Sequence, residues 1–210
     1  MKHYQAVLYD IDGTLLNTVN MNMYPLLRII KEERGEEWDL ADVVKFMAYP
    51  GMKVMEELGI HDPETTYQRW VRYVNEYEEG ATPYAGVAET LATLRARGVR
   101  QGVVSSKKRA QYRIDMGGTG LDAYMETAVL EEDTPQHKPH PAPLLEGLRR
   151  LGLAPNQVLY VGDTPSDGQA AQAAGMDFGY AKWNGLDQGS VDHPTYVLHA
   201  PGDLLPILEK

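Results

Sequence analysis

Residues 9–18 read YDIDGTLLNT, and they continue YQAVLY (4–9), an apolar-leaning stretch with strand character that ends in the shared Tyr9. A strand that runs into Asp10 and Asp12 is costly, because Asp is a poor strand residue and two carboxylates so close repel each other. A metal ion, hydrogen bonds or a reaction that needs both groups would offset that cost. Similar residues follow other apparent strands. Ser105 and Ser106 follow VRQGVV, Asp163 follows NQVLYVG with Asp167 four residues on, and Lys138 lies in HKPHP after METAVL. Open parallel sheets bind ligands at the carboxyl ends of their strands. If these strands are neighbours, two acidic loops, a hydroxyl and a lysine converge on one crevice.

That inventory suits phosphoryl transfer. Asp10 and Asp163 can hold Mg²⁺, which prefers a few hard oxygen ligands. The metal and Lys138 would neutralise phosphate oxygens and relieve the carboxylate repulsion. Ser105 and nearby backbone N–H groups can bind the remaining oxygens. One carboxylate in line with phosphorus can attack it and form an aspartyl-phosphate. Asp12 would then protonate the leaving alkoxide and later take a proton from the attacking water. Gly13 permits a turn closed to other residues, and the Thr14 hydroxyl can fix the loop.

The elements that must position these residues alternate after Pro83. Helical stretches AGVAETLATLRARG, KKRAQYRIDM, PAPLLEGLRRLG and PSDGQAAQAAG are interleaved with strands VRQGVVSS, METAVL, NQVLYVGD and MDFGYAKW, and YVLH and DLLPILEK close the chain. Such alternation predicts an α/β fold with a parallel sheet covered by helices. Between the first strand and Pro83, the segments MNMYPLLRIIKEERG, ADVVKFM, MKVMEELG and ETTYQRWVRYVNEYEEG all show helical spacing. They predict an all-helical insertion over 17–82, leaving 1–16 and 83–210 as the α/β core. The tyrosine-rich YQRWVRYVNEY reads as packing within the insertion.

The 210 residues, 43% hydrophobic and 24% charged, have globular composition. A net charge of −10 argues against nucleic acid or an anionic membrane as the main partner. With no cysteine there is no thiolate catalysis and no Cys-ligated metal. MKHYQAVLYD lacks a signal-peptide pattern and no apolar run approaches ~18 residues, so a cytoplasmic location is expected, with a monomer preferred.

Taken together, DIDGTL (10–15), VVSS (103–106), HKPHP (137–141) and GDTPSD (162–167) resemble the four motifs of the haloacid dehalogenase-like (HAD) phosphatase superfamily, in its order and at compatible spacing. The likeness spans nearly the whole chain. The tail YVLHAPGDLLPIL is similar to the end of phosphoglycolate phosphatase-like members. The resemblance implies a Rossmann-like parallel sheet with the first strand central and helices on both faces, carrying a small α-helical cap. It makes Asp10 nucleophile and metal ligand, and Asp12 the general acid/base with a metal-binding backbone carbonyl. Thr14, Ser105, Ser106 and Lys138 form the expected phosphate-binding set. Asp163 ligates Mg²⁺, and Asp167 supports it directly or through water. The implied substrate is a small phosphorylated metabolite of the phosphoglycolate type.

Some positions depart from the pattern. Asn17-Thr18 stands where Asp-Ser or a similar pair is usual, Ser106 replaces a frequent Asn, and Tyr49 in MAYPGMKV stands where many relatives carry Gly. Dehalogenases of this fold lack the acid/base Asp. Many phosphosugar mutases carry a His shortly after the first motif, whereas TVNMNMYP has none. Hydrolysis is therefore expected over mutase activity, with pyrophosphate as a further substrate class and a non-catalytic phosphate-binding regulator as the remaining alternative. Tyr49 and Lys53 could touch substrate or serve solvated or core roles. His137 and His140 read as loop residues, and Lys107 and Arg109 as part of a charged helix face.

Overall fold

The computed structural model describes residues 4–186 and 189–208. Residues 1–3, 187–188 and 209–210, which the expected core segments include, lie outside the described residues. The chain divides into two units, Met1–Asn17 with Pro83–Lys210, and Thr18–Thr82.

The first unit is built on a six-stranded parallel sheet: β1 (Ala6–Tyr9), β2 (Arg100–Val104), β3 (Thr127–Val129), β4 (Val158–Gly162), β5 (Asp177–Ala181) and β6 (Tyr196–Leu198), in the order β3-β2-β1-β4-β5-β6. β1 is buried along its length, as a strand covered on both faces must be. One face packs Ala6, Leu8, Val104, Val158 and Tyr160 against Leu144 and Leu148 of helix Ala142–Leu151 and Ala170 and Ala171 of helix Pro165–Ala173. A β-carbon on Gly147 would stand 2.8 Å from Leu8 Cδ1, so this helix lies against the strand where it has no side chain. On the other face, the Tyr9 hydroxyl donates to Gln101 Oε1, and the Gln101 amide donates to Leu91 O in helix Val87–Ala96. A buried polar pair is thereby satisfied.

The chain runs from β1 outward through β2 and β3, then crosses back to β4 on the other side of β1. That reversal opens a crevice beyond the carboxyl end of β1. Tyr84 N–H donates to Leu15 O at 3.1 Å, so the points where the core chain leaves and resumes are adjacent.

The second unit is helical: Val19–Arg34, Gly51–Glu57 and Pro63–Asn75, with short helical turns at Leu40–Val43 and Val44–Ala48. Leu26, Ile29, Ile30, Val54, Met55 and Trp70 form its buried face, and the Trp70 indole donates to Asn22 O at 3.0 Å. Two expected helices differ. ADVVKFM is one α-turn passing into a 3₁₀ turn, being too short to sustain a cooperative helix. The final helix stops at Asn75 instead of continuing through YEEG, where Glu76, Glu78 and Glu79 would oppose the negative end of the helix dipole. Among the described residues, no helix is long and apolar enough to cross a membrane.

Candidate active site

Asp10 follows β1 directly, and its N–H still donates to Val161 O of β4 at 2.8 Å. The β-ladder pairs Tyr9 with Val103 on one side and with Val161 on the other. Ser105 and Asp163 therefore each stand one residue beyond the level of Asp10. All three are buried. The chain then turns back sharply. The N–H groups of Thr14, Leu15 and Leu16 all donate to Ile11 O, and Gly13 sits at φ +81°, where residues with a β-carbon are strained. The turn aims the Thr14 hydroxyl at Asp163 Oδ1, 3.0 Å away.

Lys138 reaches in from the loop after β3, with its ammonium 2.9 Å from Asp10 Oδ1 and 2.7 Å from Asp167 Oδ1. Asp167 lies in the first turn of helix Pro165–Ala173, where Thr164 caps the helix and Asp167 completes a capping box. Its Oδ1 accepts from Lys138 and from the Tyr160 hydroxyl (2.8 Å), and its Oδ2 from the N–H (3.1 Å) and hydroxyl (2.7 Å) of Thr164. Four donors thus occupy its two oxygens, about the full capacity of a carboxylate.

The expected residues thus fall into related groups. Asp10, Lys138, Asp163 and Asp167 come together, and Thr14 joins them through Asp163. Ser105 flanks them, with its hydroxyl accepting from Lys107 N–H at 3.3 Å. Ser106 lies one residue further out and is half-buried. Asp12 is drawn toward a different lysine. Lys107 is buried, with its ammonium 3.0 Å from Asp12 Oδ1 and paired also with Asp115. This corrects the assignment of Lys107 to a charged helix face: it precedes the helix Arg109–Thr119 and turns inward. Arg109 does lie at the surface, paired with Asp133. His140 accepts the Ala142 N–H through Nδ1, as a loop residue.

Further residues went unnoticed in the sequence. The Asn184 amide donates to Asp163 Oδ2 at 2.8 Å and to Gly13 O at 2.9 Å. The Trp183 indole donates to Thr14 O at 2.9 Å. Both follow β5, so the strand-end rule that singles out the other loops applies to this one too. Tyr160 sits inside β4, where a buried hydroxyl needs partners; it donates to Asp167 and accepts from Lys138.

The charges do not balance. Oxygens of Asp10, Asp163 and Asp167 lie within 4.8 Å of one another, all buried, and Lys138 supplies one positive charge to three carboxyls. Burial is the main force on each. It pushes Asp10 up to about 6 against the pull of Lys138, and Asp163 well above the usual carboxylate range. Burial would raise Asp167 as well, but Lys138 and the Thr164 and Tyr160 donors hold it below its ordinary value. Buried negative charge calls for a cation. The all-oxygen donor set is the hard kind that Mg²⁺ takes, with Asp10 and Asp163 as the carboxylates best able to ligate, since Asp167 is already filled by donors.

Comparison with known proteins agrees with this architecture. A family profile described as haloacid dehalogenase-like hydrolase matches residues 7–181. Pyrophosphatase PpaX of Bacillus velezensis is 29% identical over 209 residues, covering 98% of this chain and 97% of that protein. Pyrophosphatase PpaX of Bacillus cereus is 28% identical over 208 residues, covering 97% and 95%. The crystal structure of a candidate phosphoglycolate phosphatase from Lactobacillus plantarum superposes with a TM-score of 0.85 at 29% identity, covering 98% of this chain and 99% of that one. By sequence profile and by fold, the chain belongs to the haloacid dehalogenase-like hydrolases.

Proposed function

We propose that this protein is a Mg²⁺-dependent phosphatase of small phosphorylated metabolites that works through an aspartyl-phosphate on Asp10. The observation that carries the reading is the buried contact of Lys138 with both Asp10 and Asp167, beside Asp163. A bound Mg²⁺, held by Asp10, Asp163 and the Asp12 carbonyl, would neutralise phosphate oxygens and make phosphorus electrophilic. Lys138 draws the remaining phosphate charge toward Asp10 and keeps the Asp10 carboxylate oriented. Ser105, with Thr14 and Ser106 nearby, binds and orients the phosphoryl group. Asp10 attacks phosphorus as Asp12 gives its proton to the departing oxygen. Asp12 then accepts a proton from the water that cleaves the phosphoenzyme. Asp167 fixes Lys138 and does not ligate the metal directly. We further propose that 1–16 and 83–210 form the catalytic core and 17–82 a cap that selects substrates, a reading supported by its insertion between the first two motifs.

Two substrate classes have specific support. The Lactobacillus plantarum structure favours a phosphoglycolate-type monoester. The Bacillus relatives favour pyrophosphate. A panel of 2-phosphoglycolate, pyrophosphate, sugar phosphates and p-nitrophenyl phosphate, assayed for phosphate release with and without Mg²⁺, separates them, with Asp10→Asn as control. Hydrolysis that needs both Mg²⁺ and Asp10 supports the reading. Metal-independent turnover, or an Asp10→Asn variant as active as the parent, overturns it.

A further inference from the structure

Lys107 is a second buried lysine beside the crevice, and the proposed reaction gives it no task. Its side chain is 6% exposed and that of Asp115 is 1% exposed. The Lys107 ammonium bridges Asp115 Oδ2 and Asp12 Oδ1, and Asp115 Oδ1 accepts the Gln111 amide at 2.8 Å. The lysine backbone is pinned as well: its N–H donates to Ser105 Oγ, and its carbonyl accepts the Glu131 N–H at 3.1 Å. Gln111 and Asp115 both belong to helix Arg109–Thr119, so the chain of contacts runs from that helix to the loop after β1.

An ion pair buried this deeply gains little stability over apolar residues of the same volume. Fastening the helix to the loop would not require one. What an apolar pair could not do is hold a carboxylate at the crevice by one of its oxygens. We propose that Lys107 is a positioning residue that holds the Asp12 carboxyl where it can deliver its proton, with Asp115 and Gln111 as its footing. This rests on the reading of Asp12 as proton donor. In that step the Asp10–phosphorus bond forms as the phosphorus–ester oxygen bond breaks. The ester oxygen takes the Asp12 proton and departs as neutral alcohol, and Asp12 is left as a carboxylate beside Lys107.

The test uses leaving groups that differ in their need for a proton. An alkoxide is a poor leaving group without one, whereas p-nitrophenolate departs unaided. Lys107→Met is compared with the parent on the best alkyl phosphate of the panel and on p-nitrophenyl phosphate. The ratio kcat/KM is read because it stops at departure of the leaving group. The expected result is a loss of about 30-fold on the alkyl ester against at most about 3-fold on the aryl ester, within the range of general acid catalysis. Equal losses on the two esters, or none on either, overturn the proposal and leave the phosphatase reading intact. A parent enzyme that cleaves no alkyl phosphate leaves the Asp12 proton no alkoxide to meet and overturns the proposal, whereas hydrolysis of pyrophosphate that needs Mg²⁺ and Asp10 still supports the phosphatase reading. If Lys107→Met does not fold, the double variant Lys107→Met/Asp115→Leu, which leaves no unpaired buried charge, is read in the same way. Its failure to fold would show a structural role and also overturn the proposal.

Discussion

A β-carbon added to Gly13 would stand 2.1 Å from Asp163 Oδ2, so the loop after β1 can approach the loop after β4 only because one residue lacks a side chain. Gly13 also sits at φ +81°. Gly13→Ala must therefore strain the turn and displace a buried carboxylate. The backbone alone should cost about 1–2 kcal/mol, and the displaced Asp163 should weaken metal binding. Chemical denaturation should show the first effect. Loss of the Mg²⁺-induced rise in Tm should show the second.

Protons and Mg²⁺ should compete for the carboxyl cluster. In the folded, metal-free protein Asp10 is raised to about 6, chiefly by burial, from an ordinary value of 3.8, and Asp163 is raised in the same direction. A raised group favours the folded state while it holds its proton, and that contribution is lost as pH climbs through the folded value. The metal-free protein should thus lose stability between about pH 4 and pH 6 as Asp10 gives up its proton. Mg²⁺ binding should release protons and tighten over the same interval. Calorimetric titrations in buffers of different ionisation enthalpy measure the released protons. Mg²⁺ affinity that is flat from about pH 4 to pH 6 would contradict this account.

Much of this arrangement could be read from the sequence because its motifs are local and lie at strand ends. Asp10, Ser105 and Asp163 each follow a buried apolar run, and a parallel sheet brings such ends together. Lys107 was missed because KKRA resembles a basic helix start, and only the fold shows that Asp115, eight residues on, faces it from inside the helix. Asn184 was missed because a single amide after a strand carries no charge pattern, although its loop is a strand end like the others. The helix ends at Asn75 and in ADVVKFM depend on dipole and length effects, which apolar spacing does not reveal.

Lys138 and Asp10 should respond in opposite senses to neutralisation. Lys138→Met leaves Asp10 and Asp167 buried without their shared cation, a loss of about 3–5 kcal/mol by the usual cost of breaking a buried pair. Asp10→Asn removes a carboxyl that burial already disfavours as an anion. At pH 8 without Mg²⁺, the Asp10→Asn variant should melt above the parent and Lys138→Met well below it. Both should lose turnover, Asp10→Asn on the order of 10⁴-fold or more, as when a nucleophile is removed. Thermal melts and single-turnover assays check the two halves separately.

Asn184 offers a way to disturb metal binding while leaving the reacting groups in place. Its amide reaches Asp163 Oδ2 and Gly13 O together, so it ties the carboxylate proposed as a metal ligand to the loop that carries Asp10 and Asp12. Partners that orient a metal's ligands commonly change affinity by about 10–100-fold when removed. Asn184→Ala should therefore raise the Mg²⁺ concentration needed for half-maximal activity by about that factor. At saturating Mg²⁺, kcat should stay within about 3-fold of the parent, because Asp10, Asp12 and Lys138 keep their partners. A variant that loses kcat at every Mg²⁺ concentration, with an unchanged midpoint, would instead place Asn184 in the chemical step.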